Sequence, residues 1–450
     1  METVILAAGK GTRMKSKLPK VLHKVCGKEM LQHVIDAAKS AGSTREVVII
    51  GNGAELVKEK ISDVEFVLQA EQLGTGHAVL CAKNNFENST GTLMILCGDT
   101  PLIDGELLKK FSAAHENSNA AATVLTAEMP DATGYGRIIR ESDGSLKKIV
   151  EHKDATDEEK KISEVNAGIY CFDVKKLFDA LTKVKNDNAQ GEYYLPDVLT
   201  ILKSAGEKIS AYTAEDYTQT LGINSRVQLA EAEKILRQKK NISLMESGVT
   251  IIDPATTFID SEVEVGQDTI IYPNTFIEGK TKIGENCSIG PNSRFFDMIV
   301  GDNVQAQFCY CHESEICNDV ILGPYVHIRP GSKIFPKVKI GNFVEVKNSN
   351  IGEGSKLPHL QYLGDTDMGS GCNIGCGTIT VNYDGKKKFR TTIGDNVFVG
   401  CNSNLVAPVT LENNSYVGAG STITENVPEK NLAIARARQK NITGWKDKRN

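Results

Sequence analysis

The most chemically suggestive stretch begins at residue 6. Leu6-Ala7-Ala8-Gly9-Lys10-Gly11-Thr12-Arg13-Met14 closes an apolar run and leads into Leu18-Pro19-Lys20. Glycines just after a strand let the backbone approach phosphates, and Arg13 and Lys20 add fixed positive charge. The string is not a Walker loop, because no Gly-Lys-Ser or Gly-Lys-Thr follows. Nor is it the dinucleotide GxGxxG, because Met14 stands where the third glycine belongs. Turn glycines beside surface cations are the plain alternative. Further on, Gln69-Ala70-Glu71-Gln72-Leu73-Gly74-Thr75 joins glutamines to a glycine turn and can present amide donors and acceptors to a ligand. Cys97-Gly98-Asp99-Thr100-Pro101 ends another apolar run. A carboxylate at the carboxyl end of a strand suits Mg²⁺; the alternative for Asp99 is an N-cap of a helix over 104–115.

A second set lies beyond residue 320. Arg329 (in His-Ile-Arg-Pro-Gly) and Lys347 (in Val-Glu-Val-Lys-Asn) can clamp an anionic group such as a phosphate by charge. His359 stands in Lys356-Leu357-Pro358-His359-Leu360-Gln361-Tyr362, and Asn373 and the loop Asn382-Tyr383-Asp384-Gly385 follow. A lone histidine in a β-protein is more often structural. The company of Tyr362, Asn373, Lys347 and Arg329 favours chemistry.

These residues need two different scaffolds. Up to about residue 221, β-rich runs (Val-Ile-Leu-Ala-Ala near the start, 47–50, 66–69, 93–97) alternate with helical patterns such as 29–41 and 104–115. That alternation predicts an α/β sheet with parallel crossovers, whose ligands sit beyond the carboxyl ends of the strands. Residues 225–246 contain no Gly or Pro and favour one helix. From about 249, aliphatic residues recur every sixth position: Ile259 to Ile289, Ile316 to Val346, and Ile393 to Ile423. Period six fits neither an amphipathic helix nor an alternating strand. It predicts a hexapeptide β-helix in which each inward aliphatic stacks on the next coil. The period slips near Ile351 and between Leu363 and Met368, and breaks at 381–392. Such breaks are where loops are expected to leave the body.

Composition limits the partners. The chain of 450 residues carries a formal charge of −5, so no global basic field draws in nucleic acid or an anionic membrane. The opening Met-Glu-Thr-Val-Ile-Leu-Ala-Ala-Gly-Lys lacks a secretory leader, and no run of about 18 apolar residues spans a bilayer. A cytoplasmic location is expected, with the eleven scattered cysteines as reduced thiols and no structural zinc.

The whole string from Leu6 to Lys20 resembles the sugar-1-phosphate nucleotidyltransferases. Gln69–Ala78, Cys97–Pro101 and Gly222-Ile223-Asn224 match that family in order, with Gly134–Arg137, Glu151 and Asn166–Gly168 as its sugar-binding parts. With His359 and its neighbours included, nearly the whole chain, to Arg436, resembles the bacterial bifunctional uridyltransferase/acetyltransferases. The resemblance implies an α/β nucleotidyltransferase domain over 1–224, Rossmann-like with a mostly parallel sheet. A helical linker over 225–247 would join it to a left-handed parallel β-helix of hexapeptide repeats over 248–450. It implies Mg²⁺ held by Asp99 and Asn224, with Lys20 and Arg13 stabilising phosphate charge. UTP and N-acetylglucosamine-1-phosphate would be bound by Leu6, Ala7, Ala8, Gly9, Gln69, Gly74, Thr75, Gly136, Glu151, Asn166 and Asn224. His359 would be the general base of acetyl transfer, a role suited to its near-neutral unperturbed pKa. Glucosamine-1-phosphate would sit on Arg329, Lys347, Tyr362 and Asn373. Acetyl-CoA would contact Cys376, Asn382, Tyr383, Cys401, Ala419 and Arg436. A homotrimer is implied, with the tail over 427–450 leaving the solenoid to reach a neighbour. Cys376, Cys401 and Cys97 depart from the family's usual Ala, Ser and aromatic residue. Cys401 weakens a hydrogen bond a serine would make, so slower acetylation is expected. The alternatives are a nucleotidyltransferase whose β-helix serves only assembly, and a non-catalytic regulatory subunit.

Overall fold

The computed structural model describes residues 1–188 and 190–446, and the chain divides into two compact units, Met1–Leu236 and Arg237–Asn450.

The first unit is built on a sheet in the order Ile209–Ala214, Ala122–Glu128, Glu164–Asp173, Thr92–Cys97, Glu2–Ala7, Glu46–Ile50, Glu65–Leu68. The apolar runs become its strands, because both faces are covered. Val4, Val47, Ile49 and Ile95 pack on one side with Ala78, Leu177 and Val198. Ile5, Val48, Ile50 and Leu96 pack on the other with Leu31, Ile35, Leu108 and Phe111. A strand buried on both faces reads as a continuous apolar run, which explains the legibility of these segments. The helices predicted at 29–41 and 104–115 form as Met30–Ser40 and Gly105–Ser118. One strand differs from a purely parallel crossover pattern. Glu164–Asp173 runs antiparallel to both neighbours and carries a hairpin of Arg137–Arg140 and Leu146–Val150.

Helix Arg226–Glu246 is continuous. Its Ala232 packs with Val25, Met30, Leu102 and Ile223 of the first unit. Further along, Leu244 joins the core of the second unit, and buried Asn241 donates to the carbonyls of Pro254 and Thr257, each at 3.2 Å. An apolar residue there would leave both carbonyls without that donor, a cost of about 1–3 kcal/mol for a buried group.

The second unit is a parallel β-helix. Ile271 lies beside Ile289, Ile277 beside Phe295, and Ile328 beside Val346, one coil apart. The aliphatic series form the interior: Ile271, Ile277, Ile328, Ile334, Val399 and Leu405 are wholly buried. Each such side chain contributes about 1.5–3 kcal/mol of transfer free energy, so the stacked column holds the coil together with little help from local propensity. Between Ile289 and Ile316 the inward positions are taken by Phe295, which keeps the hexad phase, and by Val300, Ala306 and Cys311, which five-residue steps put out of it. Two of the expected loops are absent. Leu363 stacks beside Val346 and Met368 beside Ile351, so the slips near Ile351 and Met368 are corners shortened by one residue. Only the break at 381–392 projects, as a hairpin-like loop closed by a bridge between Tyr383 and Lys388. The solenoid also runs further than expected. Leu432–Ala433 pairs with Tyr416–Val417, and Ala435 N donates to Ser421 Oγ, so the chain departs only after Ala435. Residues 447–450 of the expected tail lie outside the described residues.

Candidate active sites

The first site forms where several chain segments meet at the carboxyl edge of the sheet. Strands Glu2–Ala7 and Thr92–Cys97 are neighbours, so the loops after them lie side by side, tied by Gly98 N donating to Leu6 O at 2.9 Å. Asp99 is held by a bond from Ile223 N to its carbonyl at 2.9 Å, which brings Asn224 alongside. Lys20 Nζ forms an ion pair with Asp99 Oδ2 and donates to Asn224 Oδ1 at 2.9 Å. Gly11 is required here. It has φ +57°, and a Cβ on it would meet Lys20 Cβ at 2.6 Å. Asp99 does not cap the following helix; Asp104 does, accepting from Leu107 N at 2.9 Å. Two oxygens, one anionic and one amide, thus converge on a single cation. Hard oxygen donors of this kind, few in number, suit Mg²⁺ completed by phosphates and water. Among the described residues no group of three or more His, Cys, Asp or Glu side chains could hold a metal ion. Arg13 and Gly9 are exposed beside this point.

A cleft of about 480 Å³ opens next to it, lined by Leu6, Thr75, Cys97, Glu151, Asn166 and Tyr170 among others. Asn166 is oriented by its Nδ2 donating to Tyr170 Oη at 2.7 Å and its Oδ1 accepting from Gly168 N at 3.0 Å. Glu151 is exposed as a residue, but desolvation of its carboxyl against the cleft wall, then the charges of Asp154 and Asp197, push that carboxyl above its ordinary range. Burial, then Asp99, pushes the Cys97 thiol up to about 12, so it stays protonated, and its Sγ donates to Gly168 O at 3.3 Å. Gly136 lies against Glu151, where a Cβ would stand 3.2 Å from Oε1. Gln69 is buried and braces the turn, with Nε2 donating to Gly74 O at 3.1 Å. Gly74, at φ +107°, lets the turn pass Tyr193, whose carbonyl oxygen a Cβ would meet at 2.6 Å. Ala7 and Ala8 are buried at the root of the loop.

The second site follows rung by rung from the β-helix register. His359 pairs with Asn342 on the preceding coil, and its Nδ1 lies 2.6 Å from Asn342 Oδ1. An amide oxygen only accepts, so a neutral ring in this contact would carry its proton on Nδ1 and leave the lone pair on Nε2. The same step that sets Lys356 beside Asn373 and Tyr362 beside Ile379 sets His359 beside Cys376. Ile374 beside Val399, then Val399 beside Val417, extend the column to Cys401 and Ala419. Arg436 Nη1 donates to Ala419 O at 2.7 Å. His359, Cys376, Cys401, Ala419 and Arg436 therefore form one exposed line along a corner.

A cationic cluster lies on the wall beside that corner. Arg329 N bonds to Val346 O, which brings Arg329 next to Lys347, and Arg329 Nη1 pairs with Glu345 at 2.7 Å. The ammonium of Lys388 beside it, then burial, pushes Lys347 below its ordinary pKa. Lys388, from the 381–392 loop, is not singled out by the sequence; the run of lysines 386–388 at a register break was its one signal. Burial raises the Asp365 carboxyl. Hydrogen bonds from Asn348 and Asn382, both 2.6 Å, and the charges of Lys347 and Lys388 outweigh that and hold it low. Asn382 is thus buried, its Nδ2 spent on Asp365 and, at 3.5 Å, Tyr362 Oη. Tyr383 is exposed, its hydroxyl donating to Gly385 O at 2.6 Å. Asn373 is not brought to the cluster. It lies with Lys356 on the wall before the bend at Leu360, whereas Tyr362 lies on the wall after it.

Known proteins share this organisation. The model of the MobA-like NTP transferase domain matches residues 3–195, and that of the bacterial transferase hexapeptide (six repeats) matches 262–296 and 390–425. The Bifunctional protein GlmU of Clostridium beijerinckii is 55% identical over 99% of this chain and 98% of its own. Those of Geobacillus sp. (strain WCH70) and Listeria innocua are 55% and 51% identical, over 99% and 98% of this chain and 97% of each relative. Among the described residues no helix is long and apolar enough to cross a membrane. With an NTP transferase domain, a hexapeptide domain and such identity over almost the full length, the chain belongs to the bifunctional GlmU family, enzymes with a uridyltransferase and an acetyltransferase activity.

Proposed function

We propose that the chain makes UDP-N-acetylglucosamine in two steps. The β-helix unit transfers the acetyl group of acetyl-CoA to the amine of glucosamine-1-phosphate. The α/β unit then joins N-acetylglucosamine-1-phosphate to UTP and releases pyrophosphate. The observation that carries this reading over a β-helix used only for assembly is His359, held at Nδ1 by Asn342 on a line with Cys376, Cys401 and Ala419.

In acetyl transfer, His359 Nε2 takes the proton from the sugar amine as its nitrogen attacks the thioester. Arg329, Lys347 and Lys388 hold the phosphate, with Tyr362 and Asn373 on the sugar. Coenzyme A runs along Cys376, Asn382, Tyr383, Cys401, Ala419 and Arg436. In uridyl transfer the sugar phosphate oxygen attacks the α-phosphorus and pyrophosphate leaves. The protein's part is positioning and charge neutralisation. Asp99 and Asn224 would hold Mg²⁺, which when bound would supply neutralisation of phosphate charge. Lys20, Arg13 and the Gly9–Gly11 backbone meet the UTP phosphates. Leu6, Ala7, Ala8, Gln69, Gly74 and Thr75 surround its base, and Gly136, Glu151 and Asn166 take the sugar.

The acetyl site is shared between chains of a homotrimer. Asn373 and Tyr362 stand on walls that turn away from one another at the Leu360 bend, so one chain alone does not enclose the sugar. Incubation with glucosamine-1-phosphate, acetyl-CoA, UTP and Mg²⁺ should yield CoA, pyrophosphate and UDP-N-acetylglucosamine. UTP turnover without acetyl transfer would favour the assembly-only β-helix. For the sharing, Tyr362→Ala and Asn373→Ala chains are unfolded together and refolded. Mixed trimers should regain acetyl transfer that neither variant has alone; shown to be mixed yet inactive, they would refute the sharing of these two residues.

A further inference from the structure

All eleven cysteines are free, and most are buried or half-buried. Cys401 alone among them is exposed, and Cys376 beside it is partly so. The two hold the same place in successive corners, Gly375-Cys376-Gly377 and Gly400-Cys401-Asn402. Each is followed by a left-handed residue, Gly377 at φ +74° and Asn402 at φ +54°, so their side chains leave the coil in the same direction. Asn402 N donates to Cys376 O at 2.7 Å, which locks the two corners in register. Adjacent rungs lie about 4.8 Å apart. That falls inside the ~4.4–6.8 Å between the Cα atoms of a disulfide. Among the described residues neither Sγ has a hydrogen-bond partner. Cys309 and Cys311 make an instructive contrast. Their thiols also approach each other, but both face the core, 3% and 0% exposed, where no reagent reaches them.

We infer that Cys376 and Cys401 are a dithiol modification site, which a small-molecule disulfide of the coenzyme A type converts into an intramolecular disulfide. The exposed Cys401 thiolate attacks one sulfur of coenzyme A disulfide and expels one coenzyme A thiol. The Cys376 thiolate then attacks the Cys401 sulfur of the mixed disulfide and expels the second. The two cysteines lose two protons and two electrons, and the reagent gains them as two thiols. His359, one rung from Cys376, offers an acceptor for its proton. The bond ties together two rungs beside the proposed base, in the line along which the thioester is proposed to lie. Its effect on acetyl transfer rests on the function proposed above; its formation does not.

The test uses the full-length protein with coenzyme A disulfide, followed by alkylation, digestion and mass spectrometry. A peptide pair linked through Cys376 and Cys401, released by dithiothreitol, is expected. Acetyl transfer should fall by roughly 10²-fold, as for a misplaced reacting group. Uridyl transfer in the same sample should not change. Cys376→Ala should trap the coenzyme A adduct on Cys401. Cys401→Ser should form no link and keep its own reduced rate. A stable coenzyme A adduct on wild-type Cys401 with no link to Cys376, a link that uses other cysteines, or equal inactivation of Cys401→Ser would overturn the inference. A 376–401 link in a protein whose reduced form transfers no acetyl group supports the dithiol site and counts against the functional proposal instead.

Discussion

The two units prepare their chemistry in opposite ways. In the α/β unit the functional groups are drawn from loops far apart in sequence and hold one another: Lys20, Asp99 and Asn224 form a closed, mostly buried set. In the β-helix they are set out by the coil, one rung at a time, on an exposed corner and its flanking wall. The first site is a concave cleft made within one unit. The second is a surface whose spacing is fixed and whose enclosure must come from elsewhere. A sheet edge can gather loops of any length into a pocket. A solenoid wall repeats the same outward direction in every coil, so it delivers alignment without concavity.

Changes in one unit should leave the other's activity intact, since distant sites with separate cores act independently. The largest effect is expected from Asp99→Ala, which removes the carboxylate proposed to hold the metal ion and leaves Lys20 with Asn224 but no counter-charge. Pyrophosphate release should drop to background while release of coenzyme A stays near wild type. Equal loss of both activities would mean misfolding or a shared site. His359→Ala is the mirror case, lowering acetyl transfer by roughly 10²–10⁴-fold, the usual worth of a general base. Normal acetyl transfer in that variant would return His359 to a structural role.

Lys388→Ala tests the exposed cluster at smaller amplitude. Loss of one charge-assisted contact, worth about 1.5–3 kcal/mol, should raise KM for glucosamine-1-phosphate by roughly 10–100-fold and change kcat little. Lys347 should titrate higher in the variant, because its nearest like charge is gone. A fall in kcat with KM unchanged would place Lys388 outside substrate binding.

The smallest effect belongs to the cleft. Desolvation raises the folded-state pKa of Glu151, so the folded protein favours the protonated carboxyl. The stability this gives is fully present below the unfolded-state value and is lost as pH rises through the raised folded value. At neutral pH the ionised side chain is therefore a burden, and Glu151→Gln should raise Tm there. The gain should vanish as the pH is lowered below the ordinary carboxylate range. A gain that persisted in acid would show that ionisation is not its cause.

Much of this was legible from residue order alone. The string from Leu6 to Lys20, Asp99 at the end of an apolar run, and the hexad series each carry their signal within a short window. Strand burial on two faces and inward stacking every sixth residue are local rules, so the two kinds of core could be read directly. Direction and register are not local. An apolar run does not say whether it will lie parallel or antiparallel, so only the fold shows that Glu164–Asp173 is the antiparallel strand of a mostly parallel sheet. A slip in period does not say whether a corner is shortened, as before Ile351 and Met368, or a loop projects, as at 381–392. Only the folded chain joins Lys20 to Asn224 across 204 residues, seats Asn342 behind His359, brings Lys388 to Lys347, and aligns Cys376 with Cys401. Those pairings depend on strand order and coil length summed over the whole unit, which no window of sequence contains.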